Sequence, residues 1–240
     1  QIKKLSEYTY ILVNKPYEAT IAVKRDDIED DQLGIYSAQA QGAGHSAKQW
    51  PDELVFTAVN KGFTEKCYDG KPFFATNHPV GKSGVSNKGT KKLSAASQEA
   101  AAASYGEART ALMSMKDEDG RPLNVNPNLL LVPPALEATA NALINSDRLD
   151  DGKANLYKGT AKVVVVAWLT SPDAWFLLDT TKPLKPFIYQ PRKKPEFVQQ
   201  TTVESDSVFT EGEFKFGAEA RGAAGYGHWQ TAYGSDGSAA

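Results

Sequence analysis

Residues 68–80 of the chain read YDGKPFFATNHPV, and this stretch combines a strong turn signal with two adjacent phenylalanines. The Asp69-Gly70 dipeptide is typical of a tight turn between two strands, because glycine readily adopts the backbone conformation that such turns need. We therefore predict a strand-turn-strand unit at 63–74. The glycine-, serine- and lysine-rich residues at 81–92 are predicted to form a mobile polar loop.

The composition is that of a globular protein and excludes several classes. Of the 240 residues, 41% are hydrophobic and 23% are charged, which suits one large domain or two small ones. The 27 lysines and arginines nearly balance the 29 acidic residues, so bulk charge does not indicate a dedicated nucleic-acid binder. No apolar run approaches the roughly 20 residues that a membrane helix needs. The single cysteine, Cys67, excludes an intrachain disulfide and a zinc site built from several thiolates.

The first part of the chain is predicted to contain a hairpin and one long helix. Residues 8–13 and 17–24 are rich in aromatic and β-branched residues and flank a turn, so they are predicted to pair as a hairpin. Two strands alone are marginally stable, so this hairpin is expected to pack on something else, such as another chain. Apolar stripes predict a helix over 31–62, kinked or restarted at Pro51 and ended by Gly62.

The remaining elements follow from local patterns. Ser94 is the expected N-cap of an alanine-rich helix, and Pro133-Pro134 are expected to open a second helix. Residues 162–169 contain four consecutive valines and are predicted to form a central strand, whereas 235–240 are predicted to form a frayed tail. Other strands are predicted at 128–132, 175–179, 187–190, 208–216 and 229–233. We find no internal repeat in the sequence.

An acidic run near the start of the chain is the first of two charged blocks. Solvated acidic side chains are typical of the first turn of a helix, where the helix dipole favours negative charge. A calcium loop requires alternating ligands and a glycine at the bend, and the run has neither. A contact with a basic surface is the third possibility. The acidic residues are Asp26, Asp27, Glu29, Asp30 and Asp31.

A basic stretch at 182–194 is the second charged block. Four prolines between positions 183 and 195 make it extended rather than helical. We interpret it as an edge strand protected by lysines and prolines, as a contact with another subunit, or as a nucleic-acid contact. The candidate contact residues are Arg192, Lys193 and Lys194.

Catalytic chemistry has few candidates. Cys67 and His78 are a conceivable nucleophile–base pair, because a thiolate needs a base within hydrogen-bonding distance, although buried free cysteines are common. His45 is expected at the surface, and His228 is expected to pack in a sheet. The histidine spacing does not fit a zinc site, and the sequence has no serine-hydrolase elbow or dinucleotide-binding loop. We therefore predict no catalytic, cofactor-binding or metal-binding residues, and the segregated charges and aromatic residues favour self-assembly.

Several motifs, taken in order along the chain, resemble those of one family. They are IEDDQ (28–32), PDELV (51–55), YDGKPFF (68–74), NHPV (77–80), WFLLDT (175–180), KPFIYQ (185–190), KPEF (194–197), FKFG (214–217) and GYGHWQ (225–230). The ordered set covers about residues 8–235 and resembles the major head subunit of Mu-like phages, the gpT family.

The resemblance implies an α+β fold of the Hong Kong 97 type, the fold of major capsid proteins of tailed phages. It assigns 1–30 to an extended β-hairpin arm and 31–93 to a peripheral domain with a long spine helix. Residues 94–195 would form an axial domain, and 196–240 would supply strands that return to the peripheral domain and a C-terminal tail. Such proteins usually carry an arm before the hairpin, and we expect that segment to precede Gln1.

The implied function is structural and not enzymatic. Copies would form pentamers and hexamers that close into an icosahedral shell around double-stranded DNA, without sequence-specific binding, a cofactor or a membrane. The implied partners are further copies of the chain and the scaffold, portal and head proteins of the phage. The implied location is the virion, assembled in the cytoplasm of the bacterial host. An encapsulin-like cargo shell is the alternative with the same fold, and a small hydrolase using Cys67 and His78 is the alternative from a different class.

The opposite charges of the two blocks lead to one hypothesis about assembly. The acidic run of one subunit is expected to contact Arg192, Lys193 and Lys194 of its neighbour. Reversing these three basic residues to glutamate is expected to block assembly and to leave the subunit folded.

Overall fold

A computed structural model of the chain has a mixed α+β fold and describes residues 10–30, 35–81, 83–202 and 204–239. The chain divides into two compact units. The larger unit includes Phe56–Ile188 and Gly225–Ala240, and the smaller unit consists of Ile11–Val55 and Tyr189–Ala224. Within the described ranges, no helix is both long and apolar enough to cross a membrane. The four-part division implied by the family resemblance stays a prediction.

The elements are numbered in chain order. The strands are β1 (Lys15–Lys24), β2 (His78–Val80), β3 (Ser83–Val85), β4 (Lys88–Lys91), β5 (Leu129–Val132), β6 (Lys162–Val165), β7 (Trp175–Leu178), β8 (Phe187–Gln200), β9 (Glu213–Tyr226) and β10 (Ala232–Ala239). The helices are α1 (Arg25–Glu29), α2 (Ile35–Lys61), α3 (Gln98–Ala101), α4 (Glu107–Met113), α5 (Glu137–Asn145) and α6 (Asp206–Glu211). A π-helix over Ala102–Gly106 joins α3 to α4, and 3-10 turns lie at Pro134–Leu136 and Trp229–Thr231.

The larger unit contains a sheet of five strands in the order β4-β10-β7-β5-β6. All four residues of β7 are buried, because the strand has a neighbour on each side and apolar packing on both faces. The strand predicted at 162–169 is confirmed in part: β6 is shorter and lies at the edge of the sheet, not at its centre. The predicted frayed tail is wrong. β10 continues to Ala239. Gly234 and Ser235 pair with both β4 and β7, and the later part of the strand is tied to β4 through Ala239.

Two further local predictions in the larger unit are corrected. The stretch predicted as a mobile loop contains β3 and β4, and β4 gains its stability from parallel pairing with β10. The N-cap of α3 is Ser97, whose Oγ accepts a hydrogen bond of 3.1 Å from the Ala100 N–H, and not Ser94. The helix opened by Pro134 is confirmed, and α5 buries the predicted apolar side.

A seven-residue turn occurs three times in the described part of the larger unit, contrary to the prediction of no internal repeat. Its first and seventh residues form a bridge, its fifth is a glycine, and its sixth is basic. The copies are 66–72, 116–122 and 148–154. The glycines Gly70, Gly120 and Gly152 have φ of 79°, 81° and 75°, a region that other residues rarely adopt. The turn predicted at Asp69-Gly70 is confirmed, but its flanking strands are reduced to the single bridge Lys66–Pro72.

The smaller unit contains a three-stranded sheet with β9 between β1 and β8. β1 pairs antiparallel with β9 over its whole length, from Lys15 opposite Gly222 to Lys24 opposite Glu213. The predicted local hairpin is therefore wrong for the described residues, because the partner of β1 comes from the other end of the chain. Positions 8 and 9 of the predicted hairpin lie outside the described residues. The strand predicted at 208–216 begins as α6, which ends at Gly212 with a left-handed φ of 65° before β9 starts.

The long helix predicted at 31–62 is confirmed as α2, although positions 31–34 lie outside the described residues. Pro51 lies inside the helix without a restart. Gly62 follows the last helical residue, as predicted, but its φ is not positive. A Cβ at Gly62 would lie 2.8 Å from the ring of Phe74. The glycine is therefore needed for this close approach and not for a left-handed helix cap.

Two glycine substitutions test the turn geometry. Gly120→Ala is expected to lower the free energy of unfolding by about 1 kcal/mol, because the site has open space but a φ of 81°. Gly42→Ala in α2 also meets open space, and it is expected to raise the free energy of unfolding by about 0.5–1 kcal/mol. Urea denaturation measures the free energy of unfolding of both variants. A change of the same sign in the two would contradict the assignment of a left-handed turn to Gly120 and of a helix to Gly42.

Candidate functional site

The histidine singled out in the sequence, His78, is the first residue of β2 and is completely buried. Its imidazole stacks on the indole of Trp229, with ring centroids 3.9 Å apart. Nδ1 lies 2.6 Å from Oδ2 of Asp69 in the turn at 66–72. Nε2 lies 3.1 Å from Oδ1 of Asn87 and 3.2 Å from the carbonyl oxygen of Phe73. The ring is therefore held on both edges and on one face.

Asn87 fixes the orientation of this network. Its Oδ1 accepts a hydrogen bond of 2.9 Å from the Ala75 N–H, and its Nδ2 donates to the carbonyl oxygens of Phe73, Trp229 and Ala232. The amide oxygen, not the amide nitrogen, thus faces His78. Both ring nitrogens then face acceptors, and a ring that donates from both is an imidazolium. The geometry favours an ion pair between His78 and Asp69 that is hidden from water.

Cys67 does not form the predicted nucleophile–base pair with His78. Its thiol donates to Oδ1 of Asp69 at 3.1 Å, and both ring nitrogens of His78 are occupied by other partners. Burial, and to a lesser extent the hydrogen bond to Asp69, raises the pKa of the Cys67 thiol to about 12. A neutral thiol is a poor nucleophile, so the site gives the hydrolase alternative no support.

Cys67, Asp69 and His78 have the donor types of a metal site, and their ligand atoms lie within 4.8 Å of one another. Two ligands of a tetrahedral zinc ion, with bonds of about 2.0–2.1 Å, are separated by about 3.3 Å. The 2.6 Å between Nδ1 and Oδ2 is shorter than that separation and is the distance of a short hydrogen bond. These two groups are therefore hydrogen-bonded to each other.

The acidic run is placed at and after α1. Asp26 and Asp27 lie in the first turn of α1 and are exposed, in agreement with the predicted helix start, and Asp30 is the exposed C-cap residue. The side chain of Glu29 and all of Asp31 lie outside the described residues. Among the described residues, no ion pair involves these three aspartates, so their charge is available to other molecules.

The basic residues lie on β8, an edge strand of the smaller unit, which confirms the edge-strand interpretation. Lys193 pairs with Glu219 of β9 and, at 3.4 Å, with Glu196. Successive side chains of a strand point to opposite faces, so Arg192 and Lys194 share the other face. Both are exposed and form no ion pair in the described part of the chain. Of the three predicted contact residues, Lys193 is therefore paired within the chain, whereas Arg192 and Lys194 carry free charges.

The sequence did not indicate the importance of Asn87, because it lies in a stretch whose composition is typical of a loop. His45 is exposed as predicted. His228 is half-buried between β9 and the turn at Trp229–Thr231, stacked against Tyr68, and not inside a sheet. Within the described chain, the acidic and basic blocks form no ion pair with each other, so any contact between them involves another molecule.

The fold is similar to that of a phage capsid protein. In the capsid of bacteriophage JBD30 decorated with minor capsid protein trimers, one chain is 27% identical, with a TM-score of 0.63 over 71% of this chain and 79% of that chain. The model of the family described as Mu-like prophage major head subunit gpT matches residues 1–101, 89–169 and 170–239. The chain belongs to this family, which confirms the resemblance found in the sequence.

Two relatives carry names that agree with the family. The major capsid protein of Escherichia phage Mu is 32% identical over 231 residues, which cover 96% of this chain and 53% of that protein. The Mu-like prophage FluMu major head subunit of Haemophilus influenzae is 30% identical over 229 residues, which cover 95% of this chain and 53% of that protein. The chain thus spans about half the length of these relatives.

Removal of the buried ring tests the His78 network. His78→Leu leaves the Asp69 carboxylate without its partner and is expected to lower the free energy of unfolding by about 3–5 kcal/mol. The double variant Asp69→Asn/His78→Leu also removes the stranded charge. Its loss of unfolding free energy is therefore expected to be smaller, by more than about 1 kcal/mol, than the sum of the losses of Asp69→Asn and His78→Leu. Denaturant unfolding measures the cycle, and additive losses would show that the two groups do not interact.

The protonated state of Cys67 predicts slow thiol chemistry. Because burial raises the pKa of the Cys67 thiol to about 12, only a very small fraction of folded molecules carries the thiolate at pH 8. A thiol-specific reagent is therefore expected to label the folded chain at least about 100-fold more slowly than the urea-unfolded chain. Absorbance at 412 nm with Ellman's reagent follows the reaction, and equal rates in the two states would disprove the burial argument.

Proposed function

We propose that the chain is the shell-forming part of the major head protein of a Mu-like phage or prophage, with a fold of the Hong Kong 97 type. Copies assemble as pentamers and hexamers into an icosahedral shell that encloses DNA. The observation that carries this proposal is the family match along the whole chain, together with the likeness to a capsid chain at 27% identity. The family is structural, and the buried group of Cys67, Asp69 and His78 adds no reason to propose an enzyme.

The smaller unit has the features that a subunit needs for lattice contacts. Only Val23 of the ten residues in β1 is fully buried, although β1 and β9 share an apolar face. On that face Tyr17 packs against Trp50 of α2, with ring centroids 5.2 Å apart. A long strand with so little burial is suited to contacts with neighbouring subunits. This supports an extended arm in the first 30 residues, although β1 pairs with β9 and not in a local hairpin.

Electrostatic contacts between copies would join the two charged blocks. In this contact, the acidic run of one subunit faces Arg192 and Lys194 of its neighbour. The residues of the acidic run are Asp26, Asp27, Glu29, Asp30 and Asp31. An exposed ion pair contributes only about 0.2–1 kcal/mol. A shell repeats each contact many times, so weak pairs add up and also set the register between subunits.

The other implied roles follow from the same family. Scaffold and portal proteins and other head proteins would meet the shell during assembly in the host cytoplasm. The DNA inside would be held without sequence-specific contacts, in agreement with the net charge of −2. The family match favours this proposal over an encapsulin-like cargo shell.

Charge reversal on one face of β8 tests the proposed contact. Arg192→Glu/Lys194→Glu is expected to abolish shells seen by negative-stain microscopy and to leave the far-ultraviolet circular dichroism unchanged, because both side chains are exposed and unpaired. The matched control, Lys193→Gln/Glu219→Gln, removes an ion pair within the chain and is expected to assemble normally. Normal shells from the first variant would rule out this contact, and a parent chain that stays monomeric at every concentration would count against the shell itself.

A further inference from the structure

An apolar groove lies in the larger unit, outside the charged blocks. Its volume is about 290 Å³, and Leu184 on its wall is 51% exposed. Three segments line it: the segment after the turn at 116–122, the segment after β7, and residues at the 3-10 turn that precedes β10. The apolar or uncharged lining residues are Leu123, Val125, Pro183, Leu184, His228 and Thr231.

The groove is largely apolar, and Lys182 lies among its lining residues. The Lys182 ammonium donates to the carbonyl oxygen of Asn124. It forms no ion pair with a carboxylate of the described residues, so its positive charge remains uncompensated. Burial lowers the pKa of His228, which keeps its imidazole neutral at pH 7. An apolar group flanked by a negative charge would fit this surface.

The smaller unit exposes such a group on α6. Phe209 is 82% exposed, the largest value among the large hydrophobic side chains of the described residues. Its neighbours Ser207 and Val208 are buried, so the short helix is anchored while the ring points into solvent. Asp206 precedes Phe209 by three residues and therefore lies on the same side of the helix. Asp206 forms no ion pair with a described residue.

We infer that Phe209 of one copy of the chain inserts into this groove of a second copy, with Asp206 of the first copy facing Lys182 of the second. Both surfaces belong to the same chain, are open in it, and carry opposite charges. An aromatic side chain removes roughly 150–250 Å² of surface from water when it is buried, so the contact also removes an exposed ring from solvent. The inference rests on the proposed function, because it requires copies to associate.

The contact is heterologous, since two different surfaces of the chain meet. Heterologous contacts generate closed rings when the rotation closes, and open filaments when it does not. A pair of surfaces with one aromatic anchor and one charge pair has the composition of an interface hot spot with a polar rim. This contact would join neighbouring subunits within a ring or between rings of the shell.

An engineered disulfide tests the contact directly. Phe209→Cys combined with Leu184→Cys is expected to give a ladder of covalent oligomers on mild oxidation, and each single variant is expected to give none of that ladder. The control pair Phe209→Cys with Leu156→Cys uses another exposed leucine of the larger unit, 72% exposed, and is expected to give no ladder. The native Cys67 is buried and common to all variants. A ladder that is absent, or equally strong in the control pair, overturns the inference.

Association constants from sedimentation velocity provide the second measurement. Phe209→Ala is expected to weaken association at least about tenfold, because it removes the buried ring. Asp206→Lys is expected to weaken it several-fold, and Asp206→Lys/Lys182→Asp to restore it at least in part. Shells that form normally in Phe209→Ala, together with no disulfide, would overturn the inference and leave the shell function intact. A disulfide ladder from a chain that forms no shell would support the inference and contradict the shell function. A parent chain that never associates would contradict both the inference and the shell function.

Discussion

The buried network around His78 is the interaction on which the larger unit depends. One imidazole joins the carboxylate of Asp69, the amide of Asn87 and the indole of Trp229, which come from three separate stretches of the chain. Burying these polar groups is favourable only when every one of them has its partner, since an unpaired buried charge costs several kcal/mol. The network therefore requires these stretches to lie together, and it holds the turn at Trp229–Thr231, which directly precedes β10, next to β2.

Close packing around Phe74 imposes a second constraint of the same kind. A Cβ at either Gly62 or Gly234 would lie 2.8 Å from its ring, although the first glycine follows α2 and the second lies in β10. Phe74 also packs against Phe63 and Phe176, with ring centroids 5.1 and 5.3 Å away. Two glycines distant in sequence are thus explained by one ring. The end of α2 and the course of β10 both depend on this cluster.

Charge on the smaller unit follows from strand geometry. Alternation along β8 directs Lys193 towards Glu219 and leaves Arg192 and Lys194 on the opposite face. An edge strand with prolines and free cations resists uncontrolled pairing. In the proposed assembly, these cations contact the acidic residues of a neighbour, and the exposed ring on α6 and the apolar groove provide a second pair of complementary surfaces.

The sequence by itself determined the features that arise within short stretches: the long helix α2, the strands β5 and β7, the turn at Asp69-Gly70, the edge character of β8 and, through its ordered motifs, the family. It did not predict that β1 pairs with β9, that the tail forms part of β10, or that Asn87 orients His78. Each of those depends on partners far away in the chain, and local propensity contains no information about them. Only the tertiary structure decided these pairings, because buried polar groups and backbone edges must find their partners across the whole fold.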